Sequence, residues 1–305
     1  MPDDSLAAIH REIERALAGN RNGTLDEVQR TLDGVMRGYN TRAQPELGGR
    51  SPNDVHRLLS ADWTSPDSAI RIDSTLSLSD LEGAPRLHDA RALLEILAGD
   101  APAKLTPKGN LPRAIVAQFR ERATAYAAER EREFRLMQAR NEEDHDSLHI
   151  TRILLQLSRL IIRRKGVLVR TKAGDRLAVE ARAGELYETL LRTQFRTFNL
   201  AYLDLGDPFP DFQPTIGFTF AQFGRLDTSW YRAEELVDRL LLPIVRAAAP
   251  HRELFDMPAL IITTRFLAPL AALGLAERRV EPGARRPERE RFRRTTLWDR
   301  AVILS

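Results

Sequence analysis

The chain has 305 residues, 46 Lys plus Arg against 43 Asp plus Glu, a net charge of +3 and no cysteine. The lack of cysteine excludes disulfides, thiolate zinc sites and cysteine nucleophiles, and the small net charge excludes any electrostatic argument from the molecule as a whole. No apolar run reaches the ~18–20 residues a membrane span needs, and the acidic, amphipathic start "MPDDSLAAIHREIERAL" is unlike a secretory signal, so a cytoplasmic protein is expected.

In chain order, residues 4–18 and 24–38 read as two amphipathic helices around "GNRNG", the second opened by Thr24 with Asp26 and Glu27 in its first turn. Ser51 and Pro52 suit the cap and first position of a short helix ending near Trp63, and a short strand is expected around 69–72. "PRLHDARALLEILAGD" is a helical pattern closed by Gly99. An extended piece at 104–106 and a turn at Lys108-Gly109 lead into a long helix over 111–140.

"NEEDHDS" caps a further helix over 146–163, and a hairpin at 166–172 gives way to a helix over 174–200. A Pro-rich break over 201–215 precedes helices at 215–226 and 230–247. One or two more helices, a basic Gly/Pro loop and "RFRRTTLWDRAVILS" complete the chain.

Three stretches fall into register: "LLEILAGDAPAKLTPKGNL", "LLQLSRLIIRRKGVLVRTKAGDRL" and the segment 266–302. Each runs from an apolar helix through a basic strand-like segment to Thr106, Thr171 or Thr295, and its period switches from 3.6 to 2. Helix, two-stranded hairpin, helix resembles a winged helix. The expected fold is mainly α with short β-hairpins (α+β), as tandem winged-helix units joined by long helices. The units are a helical region at 1–65 and winged-helix-like units at 66–140, 141–214 and 215–305.

The phrases at 48–59 ("GGRSPNDVHRLL"), 105–113 ("LTPKGNLPR") and 196–204 ("RTFNLAYLD") resemble an uncharacterised bacterial family. That resemblance implies tandem winged-helix-like segments and supplies no activity. Some members continue into a cysteine-rich metal motif, which this sequence lacks.

Chemistry-bearing patterns are few. His145 and His149 lie four apart beside Glu142, Glu143, Asp144 and Asp146, but acidic residues belong at a helix start and a third ligand is missing, so no metal or other cofactor is expected. The remaining histidines are too scattered to give a nucleophile–His–acid set, and no glycine-rich phosphate loop occurs. Asp204, Asp207 and Asp211 read as turn and cap residues, and the five Phe of 209–223 as core. No enzymatic activity is expected.

The basic residues are distributed unevenly. Segments 104–122, 159–176 and 278–300 carry +4, +6 and +5, leaving −12 on the remainder, and all four lysines fall in the first two. Duplex DNA is the expected partner, held at its phosphates. The candidate contacts are Lys104, Lys108, Arg163, Arg164, Lys165, Arg170, Lys172, Arg285, Arg286, Arg289, Arg293 and Arg294. "ITRILLQLSRL" has few side chains suited to reading base edges. The alternative is a protein-interaction scaffold without nucleic acid.

Overall fold

The computed structural model describes residues 2–19, 23–60, 62–99, 103–123, 141–204, 209, 211–249, 256–280 and 290–305, with backbone alone for 2–6. Helices dominate, and three small antiparallel sheets of two or three strands accompany them, an α+β fold. Helices α1 (Pro2–Ala18) and α2 (Leu25–Thr41) pair, α2 being closed by a reciprocal Thr24–Glu27 capping box. Helix α3 (Pro52–Ser60) starts at Ser51, whose hydroxyl accepts the Asp54 N–H at 3.2 Å. Strand β1 (Ile70–Ile72) pairs with β8 (Val302–Leu304), so "AVIL" at the C-terminus closes against a strand more than 200 residues earlier.

Between these ends a similar element order occurs twice, the second time with additional short helices. The first unit is α4 (Pro85–Ile96), β2 (Ala103–Lys104), α5 (Arg113–Ala123), α6 (Asp146–Leu157), β3 (Ile161–Arg164) and β4 (Val167–Arg170), with sheet order β2-β4-β3. Short α7 (Lys172–Leu177) and α8 (Ala183–Arg192) follow, α8 continuing as a π-helical turn over Thr193–Thr197.

The second unit is α9 (Ile216–Phe223), β5 (Tyr231–Arg232), α10 (Ala233–Leu240), α11 (Pro243–Ala247), then α12 (Met257–Ile262), a π turn at Thr263–Leu267 and α13 (Ala268–Ala272). Its sheet is β5-β7-β6, from β6 (Ala276–Val280) and β7 (Glu290–Arg294), and α14 (Thr296–Ala301) leads to β8.

This repeat corrects the expected organisation. Residues 104–109 are no separate hairpin: Ala103 and Lys104 pair with Leu168 and Val167. The boundary drawn at 140/141 therefore runs through one sheet, and the Thr106–Gly109 step is a turn closed by the Gly109 N–H on the Thr106 carbonyl at 2.8 Å. The boundary at 214/215 also falls within continuous packing, because the buried Tyr187 of α8 donates to the Leu273 carbonyl at 2.8 Å. Of the helix expected over 111–140, residues 113–123 are helical and 124–140 lie outside the described residues.

The helix expected over 146–163 stops at Leu157, and the hairpin spans 161–170 instead of 166–172. A Schellman closure ends it: Leu160 N–H reaches the Leu155 carbonyl at 2.9 Å and Arg159 N–H the Gln156 carbonyl at 3.0 Å, with Arg159 left-handed at φ 57. Ile161 and Ile162, β-branched, then pair as strand. The second unit repeats this closure, Leu275 on Leu270 and Gly274 on Ala271 with Gly274 at φ 76. Likewise the helices expected over 174–200 and 230–247 are interrupted, at 178–182 and by β5 and Pro243.

The Thr-x-x-Gly step after the first hairpin is structural. Thr171 caps α7 by accepting the Gly174 N–H at 3.1 Å, and its N–H donates to the Leu160 carbonyl at 3.0 Å. A β-carbon on Gly174 would lie 2.1 Å from that carbonyl oxygen, so only glycine lets α7 close here. Thr295 holds the second hairpin the same way, donating through its hydroxyl to the Gly274 carbonyl at 2.7 Å.

Around these frames one apolar core runs through both units, with Trp63, Phe195, Phe220, Phe223, Phe266 and Trp298 in mutual ring contact. The five phenylalanines of 209–223 are all buried in it.

Candidate nucleic-acid interface

The first hairpin turns through Lys165 and Gly166 at φ 50 and 78, two consecutive left-handed residues of the type I′ kind that matches strand twist. Glycine takes that conformation freely, whereas a lysine there costs about 1 kcal/mol. Register sets Val167 between Arg164 on one side and Lys104 on the other, and residues in register share a face. Lys104 and Arg164 thus flank Val167 on the outer surface.

The Leu105 N–H donates to the Gly166 carbonyl at 2.9 Å and draws the following turn beside the hairpin tip. There the Arg163 guanidinium comes within 3.6 Å of the point where a Gly109 β-carbon would sit.

Lys104, Lys108, Arg163, Arg164 and Lys165, from segments about 60 residues apart, therefore gather at one end of the sheet. All five are exposed, and none forms an ion pair or side-chain hydrogen bond among the described residues. Glu143 borders the surface, accepting from the Asn110 side chain at 2.6 Å. Lys172 lies away from the tip, at the base of the hairpin, where the Thr171 hydroxyl donates to the Arg159 carbonyl at 2.9 Å. Lys172 and Arg159 are exposed and unpaired among the described residues, a second pair of cations on the same hairpin. Arg159 was not among the residues singled out from sequence.

Other expected contacts are already engaged. Arg170 donates to the Leu94 carbonyl at 3.1 Å and pairs with Asp175 at 2.7 Å. Arg293 pairs with Glu277 at 2.6 Å and lies 4.7 Å over the Trp230 ring. Arg294 donates to the Leu226 carbonyl at 3.0 Å and pairs with Asp299. In the same hairpin Arg278 pairs with Glu290 at 2.5 Å, Arg291 faces Glu235 at 4.0 Å, and Arg279 has no such partner among the described residues. Arg285, Arg286 and Arg289 lie outside the described residues.

The helices before the hairpins offer little for base reading. On α6 only Asp146 and Leu157 are exposed, and the mostly buried Arg152 donates to Gln156 at 3.2 Å and to Glu142 at 2.5 Å. Glu142 is fully buried and also accepts from the Leu111 N–H at 2.7 Å and from His149 Nδ1 at 3.0 Å. Burial alone would raise its carboxyl; the hydrogen bonds from His149 and Leu111 and the Arg152 charge outweigh this and hold it below the usual carboxylate range.

His149 Nε2 accepts in turn from the Tyr202 hydroxyl at 2.7 Å, with the tautomer fixed by the Nδ1 bond. A hydroxyl–imidazole–carboxylate chain does exist, therefore, assembled from residues 53 and 7 positions apart that no local motif joins. Because Glu142 is shared with Leu111 and Arg152, its chemistry is to fix the start of α6 against α5. No group of three or more His, Asp or Glu side chains among the described residues is arranged to hold a metal ion.

The corresponding helix of the second unit, α12 through α13, is buried on most sides. Its Arg265 is 2% exposed and clamps Asp204 at 2.5 and 2.9 Å, with a further bond to the Phe209 carbonyl at 3.2 Å. Asp204 is thus half of a buried ion pair and not a turn residue. Sixty-one positions separate the partners, beyond the reach of local pattern.

Among the described residues no helix is long and apolar enough to cross a membrane. Residues 82–184 match the family model of the Y4jL N-terminal domain, an uncharacterised family. The match spans the whole first unit, from just before α4 to the start of α8, and includes the 105–113 phrase. No curated protein and no solved structure matches the chain.

Proposed function

We propose that the protein binds duplex DNA through the backbone, in a cytoplasmic setting, with the first hairpin as the wing of a winged helix. The helix–strand–helix–helix–strand–strand order and the β2-β4-β3 sheet support the winged-helix reading, and the second unit with β5-β7-β6 supports a tandem arrangement. The observation that carries the proposal is the group of five cations at the hairpin tip, exposed and unpaired among the described residues, where the second hairpin pairs Arg278, Arg291, Arg293 and Arg294 with acids. Each cation that neutralises a phosphate releases counterions, and the committed side chains of α6 leave few donors for base edges. Sequence-tolerant phosphate binding follows from that division.

Fluorescence anisotropy with unrelated ~20-bp duplexes across a salt series tests it. Wild type binds the duplexes about equally, and each tip cation changed to Ala lowers the log–log salt slope by about 0.9. No affinity at ~50 mM salt overturns the reading. A protein partner is the second reading, favoured by Ile162 and Val280, which are 42% and 48% exposed on the outer strands of the two sheets.

A further inference from the structure

Away from these hairpins, a cleft of about 310 Å³ is lined by residues of the β1–β8 sheet, the loop after α3 and helix α8. Its wall carries polar groups that the fold leaves unused. Arg71 lies between buried Ile70 and Ile72 on β1, so its side chain takes the other face, in register with Ile303. Its Nε is buried and has no acceptor among the described residues. Trp63 is 1% exposed, and its indole N–H also lacks an acceptor among the described residues. Its backbone sits at φ 60, a region bulky side chains rarely adopt and one associated with functional strain.

Glu188, on α8, forms no hydrogen bond or ion pair among the described residues, and burial pushes its carboxyl up. Arg71 and Glu188 thus line one small cleft without pairing with each other. Glu188 is partly exposed, so solvent reaches it, whereas the Arg71 Nε is a buried donor without an acceptor among the described residues, an arrangement that polar groups in folded proteins seldom keep.

We propose that this cleft binds a small zwitterion of the free α-amino acid class, its carboxylate received by the Arg71 guanidinium and its ammonium by Glu188. The volume lies at the lower end of small-molecule pockets, ~300–1,000 Å³, which suits an amino acid better than a nucleotide. Ile303, in register with Arg71, supplies an apolar part of the wall. Close packing builds the cleft: a β-carbon on Gly184 would lie 2.3 Å from the Ser74 carbonyl, so glycine lets α8 approach the chain beyond β1.

The test is isothermal titration of the full chain with each standard L-amino acid, then with the N-acetyl and amide derivatives of the tightest binder. At least one amino acid binds with a Kd of about 1 mM or tighter, and removing either ligand charge weakens it about tenfold. Arg71→Gln and Glu188→Gln weaken it by a similar factor, with far-UV circular dichroism confirming that both variants fold. Absence of binding at about 10 mM for every amino acid overturns the proposal, as does equal affinity for the charged and blocked forms on wild type. Blocked ligands on wild type decide the matter even where a variant fails to fold.

Discussion

At the tip of the first hairpin five cations face solvent without partners among the described residues, whereas in the second hairpin Arg278, Arg291, Arg293 and Arg294 each lean on an acid. Yet the two segments look alike by composition, +6 over 159–176 and +5 over 278–300. They also share a frame, from the Schellman closure through the antiparallel pair to the threonine that ties the strand back. Their difference lies in what stands across the strand. Glu277 faces Arg293 in register, and Glu290 reaches Arg278 within the same sheet, while Arg163 and Arg164 face Leu168 and Val167. Charge count alone therefore does not identify a phosphate-binding surface; cross-strand pairing decides which arginines remain available.

The largest expected effect probes the buried side of this contrast. Asp204→Ala strands the Arg265 guanidinium in the core and destabilises the protein by about 3–5 kcal/mol in urea unfolding. Salt-dependent duplex binding by the remaining folded protein should persist, because the clamp lies under the second unit. Glu142→Gln, under the first, should cost about 1–2 kcal/mol by weakening charge-assisted bonds to Arg152 and His149.

Glu142 also carries a pH signature. Its folded carboxyl titrates below its ordinary value, so the stability it contributes is complete above that value and is lost as pH falls through the lower, folded one. Acid titration followed by circular dichroism should show this loss in wild type and a flatter profile in Glu142→Gln.

A smaller effect should make the second hairpin resemble the first. Glu277→Gln with Glu290→Gln releases Arg293 and Arg278, and the salt slope of duplex binding should steepen by up to about 0.9 for each new phosphate contact. An unchanged slope would mean that pairing is not what silences this hairpin. The smallest change is at the tip, where Lys165→Asn suits a type I′ turn and should stabilise by about 0.5 kcal/mol while weakening binding. Thermal unfolding and anisotropy on the same sample read both signs.

Local signals were legible in the sequence: Thr24 with Glu27, Ser51 with Pro52, and Thr171 all cap helices as their side chains require. What local pattern could not show is pairing at a distance. Lys104 appeared to begin its own hairpin because nothing nearby reveals that Val167 is its neighbour. Leu160-Ile161-Ile162 extends the apolar run of α6, and periodicity cannot separate buried helix from buried strand over so few residues. The basic segments of the site were visible, but for the same reason the acids that pair with Arg278 and Arg293 were not, since they become neighbours only in the folded sheet.

The two Schellman closures differ at one residue, Gly274 in the second unit and Arg159 in the first, both left-handed. Lys165 occupies another such position at the opposite end of the same hairpin. Selection for heat resistance alone would drift toward glycine or asparagine at both sites, since most proteins have unclaimed stability where function holds a residue in place. Such a lineage would shed a cation from each end of the hairpin as its melting temperature rose, so the proposed phosphate surface would be poorest in its hardiest members.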